Sequence, residues 1–258
     1  MSDIHVVILD ALNLIRRVHS AQPDPNDIPK TIESTSFTLR KILKEHQPTH
    51  IIAVFDHHEQ DRGWRAELLP DYKSKRKPMP DALLKGLDTI QQAWWQTFGI
   101  DSLLSEGDEA DDLIATIAKK VASRQQKATI ISTDKGYSQL LAPTLYIRDY
   151  FQHRWLDVPF IEKEFGVKIE QMADYWGLVG ISSSQVPGIP GVGPKAAKEI
   201  LSQFPDIESA YQSSELIPKY RKKFDEHIEL ARTCKKIATL KTDIPLGFNL
   251  QDIRFTQQ

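Results

Sequence analysis

The sequence predicts an α/β fold built on a parallel sheet, and three observations carry that expectation. Three runs, Ile4 to Leu9, His50 to Phe55 and Ala128 to Thr133, are almost continuously apolar and rich in β-branched residues, which marks strands buried on both faces. Amphipathic segments of helical period separate them, so the chain alternates β-α-β and the strands run parallel through right-handed crossovers. Each run ends in an aspartate: Asp10, Asp56 and Asp134. Parallel strands deliver all three to one C-terminal sheet edge, the edge at which open α/β sheets bind ligands.

After the first strand a helix is expected around Leu12 to Val18, then a polar, proline-bearing stretch from Gln22 to Lys30, then a helix from about Thr31 to Glu45. His57 and His58 follow the second aspartate and read as polar loop. Beyond them Arg62, Arg65, Lys73, Lys75, Arg76 and Lys77 are interleaved with Trp64 and Tyr72, and Pro78 and Pro80 mark the exit. A solvated charged loop is one reading. The other is a mobile cationic flap for single-stranded nucleic acid, its charges neutralising phosphates and its rings stacking on bases. Leu83 to Phe98 is helical. Its adjacent Trp94 and Trp95 cannot share a helix face, so one belongs to the core and the other to the boundary.

Gly107-Asp108-Glu109-Ala110-Asp111-Asp112 then opens a helix whose apolar positions are Leu113, Ile114, Ile117, Ala118 and Val121. Asp108 is the expected N-cap, and acidic residues in a first turn gain roughly 0.3–1 kcal/mol each from the helix dipole. That accounts for one or two carboxylates. Glu109 and Asp112, three apart on one face, repel each other, and a divalent cation held by oxygen ligands would relieve the strain. Together Asp10, Asp56, Glu109, Asp111, Asp112 and Asp134 describe a site for hard cations such as Mg²⁺ or Mn²⁺.

Leu145 to Leu156 has aromatic strand character, and Val158 to Phe165 and Ile169 to Leu178 read as helices. In Val186-Pro187-Gly188-Ile189-Pro190-Gly191-Val192-Gly193-Pro194-Lys195-Ala196-Ala197 the glycines permit a tight hairpin, and Pro194 suits the first turn of a helix running to about Phe204. Bare N–H groups of Gly191, Val192, Gly193 and Lys195 at that helix start would suit a phosphate backbone. Carbonyls on the inner side would suit a monovalent cation. Lys219, Arg221, Lys222, Lys223, Lys235, Lys236 and Lys241 give a basic helical tail, interrupted by Glu226 and Glu229.

The 258 residues are 40% hydrophobic and carry a formal net charge of −2, so one large domain or two smaller ones are possible and overall charge does not announce a nucleic-acid partner. The single cysteine, Cys234, excludes an internal disulfide framework and a cysteine-based zinc site. With neither a signal peptide nor a membrane span in the pattern, a cytoplasmic protein is expected.

Taken together these motifs resemble the 5′-nuclease, or flap endonuclease, family over nearly the whole chain. The resemblance rests on Asp10, Phe55-Asp56, Tyr72-Lys73 with Arg76, Glu109-Ala110-Asp111-Asp112, Thr133-Asp134-Lys135 with Gln139-Leu140-Leu141, and the hairpin from Pro187 to Ala197. A stand-alone bacterial group of that family shares the opening Asp10-Ala11-Leu12-Asn13-Leu14-Ile15-Arg16-Arg17. The resemblance implies a PIN-like parallel-sheet nuclease core over 1–157, with a helical arch at about 60–82. A helical region over 158–258 would carry a helix-hairpin-helix DNA-binding motif at about 172–204. It implies Mg²⁺, or Mn²⁺, on the six carboxylates, catalytic roles for Lys73, Arg76 and Tyr72, and Tyr72 stacking on an unpaired base. It also implies K⁺ on the main-chain carbonyls of Leu178, Val179, Pro187, Ile189 and Val192, and duplex phosphates held by Gly191, Val192, Gly193, Pro194, Lys195 and Ala196. The implied activity is a metal-dependent 5′ flap endonuclease or 5′–3′ exonuclease acting as a monomer on branched or nicked DNA. Three carboxylates usual in the family are replaced by Gly136, Ile181 and Ser184, and these are the ones expected to hold a second metal. Weakened cleavage follows, with a flap-binding protein of little nuclease activity as the alternative. A small RNA-cleaving relative is a third reading, disfavoured by the hairpin.

Overall fold

The structure, a computed structural model, describes residues 4–56 and 63–256; His57, His58 and Arg62 lie outside the described residues. In chain order β1 (His5–Asp10), α1 (Ala11–Ser20), α2 (Ile28–His46) and β2 (His50–Phe55) come first, followed by α3 (Gly63–Leu68), α4 (Asp81–Phe98), β3 (Asp101–Leu104), α5 (Ala110–Ala122) and β4 (Lys127–Ile131). Then come β5 (Leu145–Asp149), β6 (Arg154–Trp155), α6 (Val158–Phe165), α7 (Met172–Val179), α8 (Pro194–Gln203), α9 (Ile207–Gln212) and α10 (Pro218–Ala238).

The strands form one sheet in the order β3-β2-β1-β4-β5-β6, parallel except for β6. β1 lies at the centre, with Leu9 opposite Ala53 on one side and Ile131 on the other. All six of its residues are buried, as the apolar run requires. Val6 and Ile8 pack against α5 and the C-terminal helices, while Val7 and Leu9 pack against α1, α2 and α4. Alternation along one strand thus divides the core into two layers.

The structure adds two details to the sequence expectations. β3 was not foreseen: Asp101-Ser102-Leu103-Leu104 is short, only partly buried and no continuous apolar run, as suits a sheet-edge strand. The stretch from Leu145 to Leu156 is two strands, with β6 turning back antiparallel on β5 through Tyr150 to His153. Of the paired tryptophans, Trp94 is fully buried against Phe55 and Trp95 is exposed.

Candidate active site

The strand order reverses between β1 and β4, and at this switch point the C-terminal strand ends open a cleft of about 780 Å³. Asp10, Asp56, Glu109, Asp111 and Asp134 line it together with Lys73, Arg76, Arg16 and Arg17. Backbone and hydroxyl donors hold the carboxylates in place. Asp10 caps α1 by accepting from the Asn13 N–H at 3.2 Å, and its other oxygen accepts from Ser132 Oγ at 2.7 Å. Asp56 accepts from the Ala110 N–H at 2.7 Å, tying the end of β2 to the start of α5. Asp134 accepts from the Gly136 N–H at 2.7 Å, and the Tyr137 hydroxyl donates to Asp111 at 2.7 Å.

Asp111 is the electrostatic hub. Burial, and then the charge of Asp111, push Asp10 and Asp56 above the ordinary carboxylate range. The same two causes raise Asp134, although it is the more solvent-exposed, and its retained water weakens the first of them. Burial raises Glu109 too, with Lys73 opposing and Asp111 adding to the rise. A cluster of like charges that drives its members towards protonation is one that a cation would stabilise.

Glu109 and Asp112 depart from the expected ligand set. Asp112 is fully buried, and its oxygens accept from Arg65 Nη1 and Nη2 at 2.7 Å each, from Trp64 Nε1 at 3.2 Å and from the Lys241 N–H at 2.9 Å. It does not reach the cleft; it binds α3 and the segment after α10 to α5. Arg65 Nε also donates to the Ile237 carbonyl at 2.8 Å. Burial works against the Arg65 charge, and the carboxylates of Asp112 and Glu109 more than offset it. Glu109 does face the cleft, with one oxygen on Lys73 Nζ at 2.8 Å and the other on Arg65 Nη1 at 3.0 Å and the Tyr72 hydroxyl at 3.1 Å. Asp108 is not the N-cap: Glu109 occupies that position and Asp108 pairs with Lys241 at 2.7 Å.

The described part of the arch segment packs Tyr72 and Lys73 against the carboxylate cluster and Ser184. Tyr72 lines the cleft but is 5% exposed, with its hydroxyl on Glu109, so it presents little ring face for an unpaired base. Lys73 takes a left-handed backbone, φ 53°, and its N–H donates to the Ser184 carbonyl at 3.0 Å. Burial opposes its ammonium charge, but Glu109 and Asp111 outweigh that and hold its pKa above the usual lysine value. Arg76 remains exposed at the rim. Ile181 and Ser184 line the same wall as Gly136, giving an apolar and hydroxyl surface beside the carboxylates.

The hairpin between α7 and α8 closes through Ile189 N–H to the Leu178 carbonyl at 2.8 Å and through paired bonds between Ile181 and Val186. Gly180 and Gly188 have φ +82° and +67°, and a Cβ on Gly188 would meet the Leu178 oxygen at 2.5 Å, so no larger residue fits. Val192 does not present a bare N–H, because it donates to the Ile189 carbonyl at 2.9 Å and its side chain is buried. Lys195 is exposed at the start of α8. Lys223 of the basic tail turns inward, donating to the Gly191 carbonyl at 2.6 Å.

Sequence reading missed Ser132, Tyr137 and the anchoring role of Arg65. Tyr137 and Ser132 act through single hydroxyls reaching across the fold, for which local sequence carries no signal.

Two family models match the chain: the 5′-3′ exonuclease N-terminal resolvase-like domain over residues 5–168 and the 5′-3′ exonuclease C-terminal SAM fold over residues 167–258. A curated relative, flap endonuclease Xni of Vibrio campbellii, is 78% identical over 253 residues, covering 98% of this chain and 97% of its own. Among solved structures, the T5 5′-exonuclease with bound zinc superposes with a TM-score of 0.77 at 20% identity, covering 91% of this chain and 89% of that one. The bacteriophage T5 flap endonuclease in a pseudo-enzyme-product complex with DNA and metal ions superposes at 0.74, also at 20% identity, over 91% and 88%. At these identities the structures establish the fold. With both family models together spanning residues 5–258, and with near-complete coverage by a relative of such high identity, the chain belongs to the 5′-3′ exonuclease family.

Proposed function

We propose that this protein is a metal-dependent 5′ flap endonuclease, or 5′–3′ exonuclease, that hydrolyses phosphodiesters in branched or nicked DNA. The observation that carries the reading is the convergence of Asp10, Asp56, Asp111 and Asp134 from three strand ends and one helix start on a cleft whose rim is cationic. The donor set is all carboxylate oxygen, which fits Mg²⁺ or Mn²⁺. Among the described residues no three such side chains close into a ready ligand cage. Asp10, Asp56, Asp111 and Asp134 would hold the ion, since Glu109 has both oxygens engaged by cations and Asp112 is sealed beneath. When bound, the ion supplies an acidified water and neutralises phosphate charge.

The protein's own groups do the rest. Lys73, fixed by Glu109 on the cleft wall, and Arg76 at the rim stabilise charge developing on the scissile phosphate. Tyr72 supports this arrangement by holding Glu109. The exposed start of α8, with Gly191, Gly193 and Lys195, takes duplex phosphates, and the hairpin carbonyls of Leu178, Val179, Pro187, Ile189 and Val192 take K⁺. Action as a monomer is part of this proposal. A cytoplasmic location fits the sole, buried cysteine, Cys234. Ile181, Ser184 and Gly136 favour weakened cleavage, and a flap-binding protein with little activity is the second reading they support.

The test is incubation with a labelled 5′-flap duplex and Mg²⁺ or Mn²⁺, alongside Asp111→Ala. Metal-dependent product that disappears in the variant supports the nuclease. Binding without such product supports the second reading, and equal product from both proteins rejects the assignment of Asp111.

A further inference from the structure

Helix α1 carries one guanidinium whose Nε finds no hydrogen-bond partner among the described residues. Arg16 lines the cleft, yet its Nε is shut off from solvent and makes no hydrogen bond among the described residues. Its neighbours on the same helix behave differently: Asn13 Nδ2 and Arg17 Nε both donate to Thr133 Oγ1, at 3.0 and 2.9 Å. Arg76, exposed, lines the same cleft; burial first and then the charge of Arg76 disfavour the charge of Arg16, while Asp56 favours it. Among the described residues Asp56 accepts from the Ala110 N–H and makes no hydrogen bond or ion pair to Arg16.

A buried unmade N–H and two adjacent like charges both cost stability, so a merely structural role explains neither. An anion arriving between the two guanidiniums would satisfy both, and a guanidinium fork matches phosphate oxygens in pairs. We infer that Arg16 and Arg76 together form a seat for one backbone phosphate of the substrate strand, on the α1 side of the carboxylate cluster. The inference rests on the nuclease reading and deepens it. Arg16 is a positioning residue: it holds the phosphate next to the scissile one and sets the strand's register in the cleft, with Arg76 shared between that phosphate and the reacting one that Lys73 and the carboxylates face.

The test compares wild type, Arg16→Leu and Arg16→Lys for binding of a 5′-flap duplex in EDTA across about 50–200 mM KCl. Arg16→Leu should bind about tenfold more weakly and lower the slope of log K against log salt by about 1. Arg16→Lys should regain the slope but not the full affinity, because it keeps charge and loses the fork. The melting temperature of Arg16→Leu should be unchanged or raised, since an unsatisfied group is removed. Replacing junction phosphates singly by neutral methylphosphonates should reveal one position whose loss costs wild type but not Arg16→Leu. A Leu variant with unchanged slope and affinity, or no such position, overturns the inference. Should wild type neither bind nor cleave flap DNA, the nuclease reading itself fails; should it do both while the Leu variant matches it, only the phosphate seat fails.

Discussion

At the scale of single residues, neighbours in one acidic motif take opposite roles. Asp111 points into the cleft, while Asp112, the next residue, is sealed against Arg65 by two 2.7 Å bonds. Helical geometry explains the split, since consecutive residues project about 100° apart. Removing Arg65 would leave a fully buried carboxylate uncompensated, so Arg65→Ala should lower unfolding free energy by about 3–5 kcal/mol in a denaturant titration. A loss below about 1 kcal/mol would show that Asp112 is solvated by other means. The double variant Arg65→Met, Asp112→Leu should recover much of the loss, because the penalty lies in the orphaned charge rather than in the absence of the pair. The acidic motif was visible in sequence; which of its carboxylates faced solvent was not, because Arg65 is 44 residues from Glu109 and 47 from Asp112 along the chain.

At the scale of elements, the hairpin between α7 and α8 is set by backbone conformation. Gly180 and Gly188 reverse the chain where a side chain would collide with carbonyls, and Pro194 starts α8 where no N–H is needed. That much was legible from glycine and proline spacing. The bond from Val192 N–H back to the Ile189 carbonyl was not, and it narrows the outward donors to the residues around Gly193 and Lys195. Lys195 is exposed and forms no ion pair among the described residues. Lys195→Ala should therefore weaken duplex binding across all sequences and reduce the salt slope by about 1, measured by anisotropy. An unchanged slope would remove α8 from the interface. The inward bond of Lys223 to the Gly191 carbonyl gives that lysine a bracing part in the hairpin that the basic pattern of α10 did not distinguish.

For the whole molecule, the carboxylate cleft sets a balance between stability and readiness for a cation. Asp10, Asp56, Glu109 and Asp134 have folded pKa values raised above their unfolded ones, so the metal-free native state binds more protons than the unfolded chain. Their contribution is present below about pH 4 and is lost as pH rises through the raised values. In EDTA, stability should fall over that window; with Mg²⁺ at 100 times its Kd it should recover by about 2.7 kcal/mol, and the pH dependence should flatten. Asp111→Asn should raise the metal-free melting temperature and abolish the Mg²⁺ response; a response of wild-type size would place the ion elsewhere. Sequence alone determined the parallel sheet, the three strand-end aspartates, the acidic helix start and the glycine hairpin, because hydrophobic period, β-branching and φ-permissive residues act over a few neighbours. Tertiary structure decided which carboxylates share the cleft, that Tyr72 is buried in its wall, that Arg65 locks α3 and α5 to the segment after α10, and that the Nε of Arg16 has no hydrogen-bond partner among the described residues. Those outcomes depend on contacts between segments far apart in the chain, whose angles and burial no local pattern encodes.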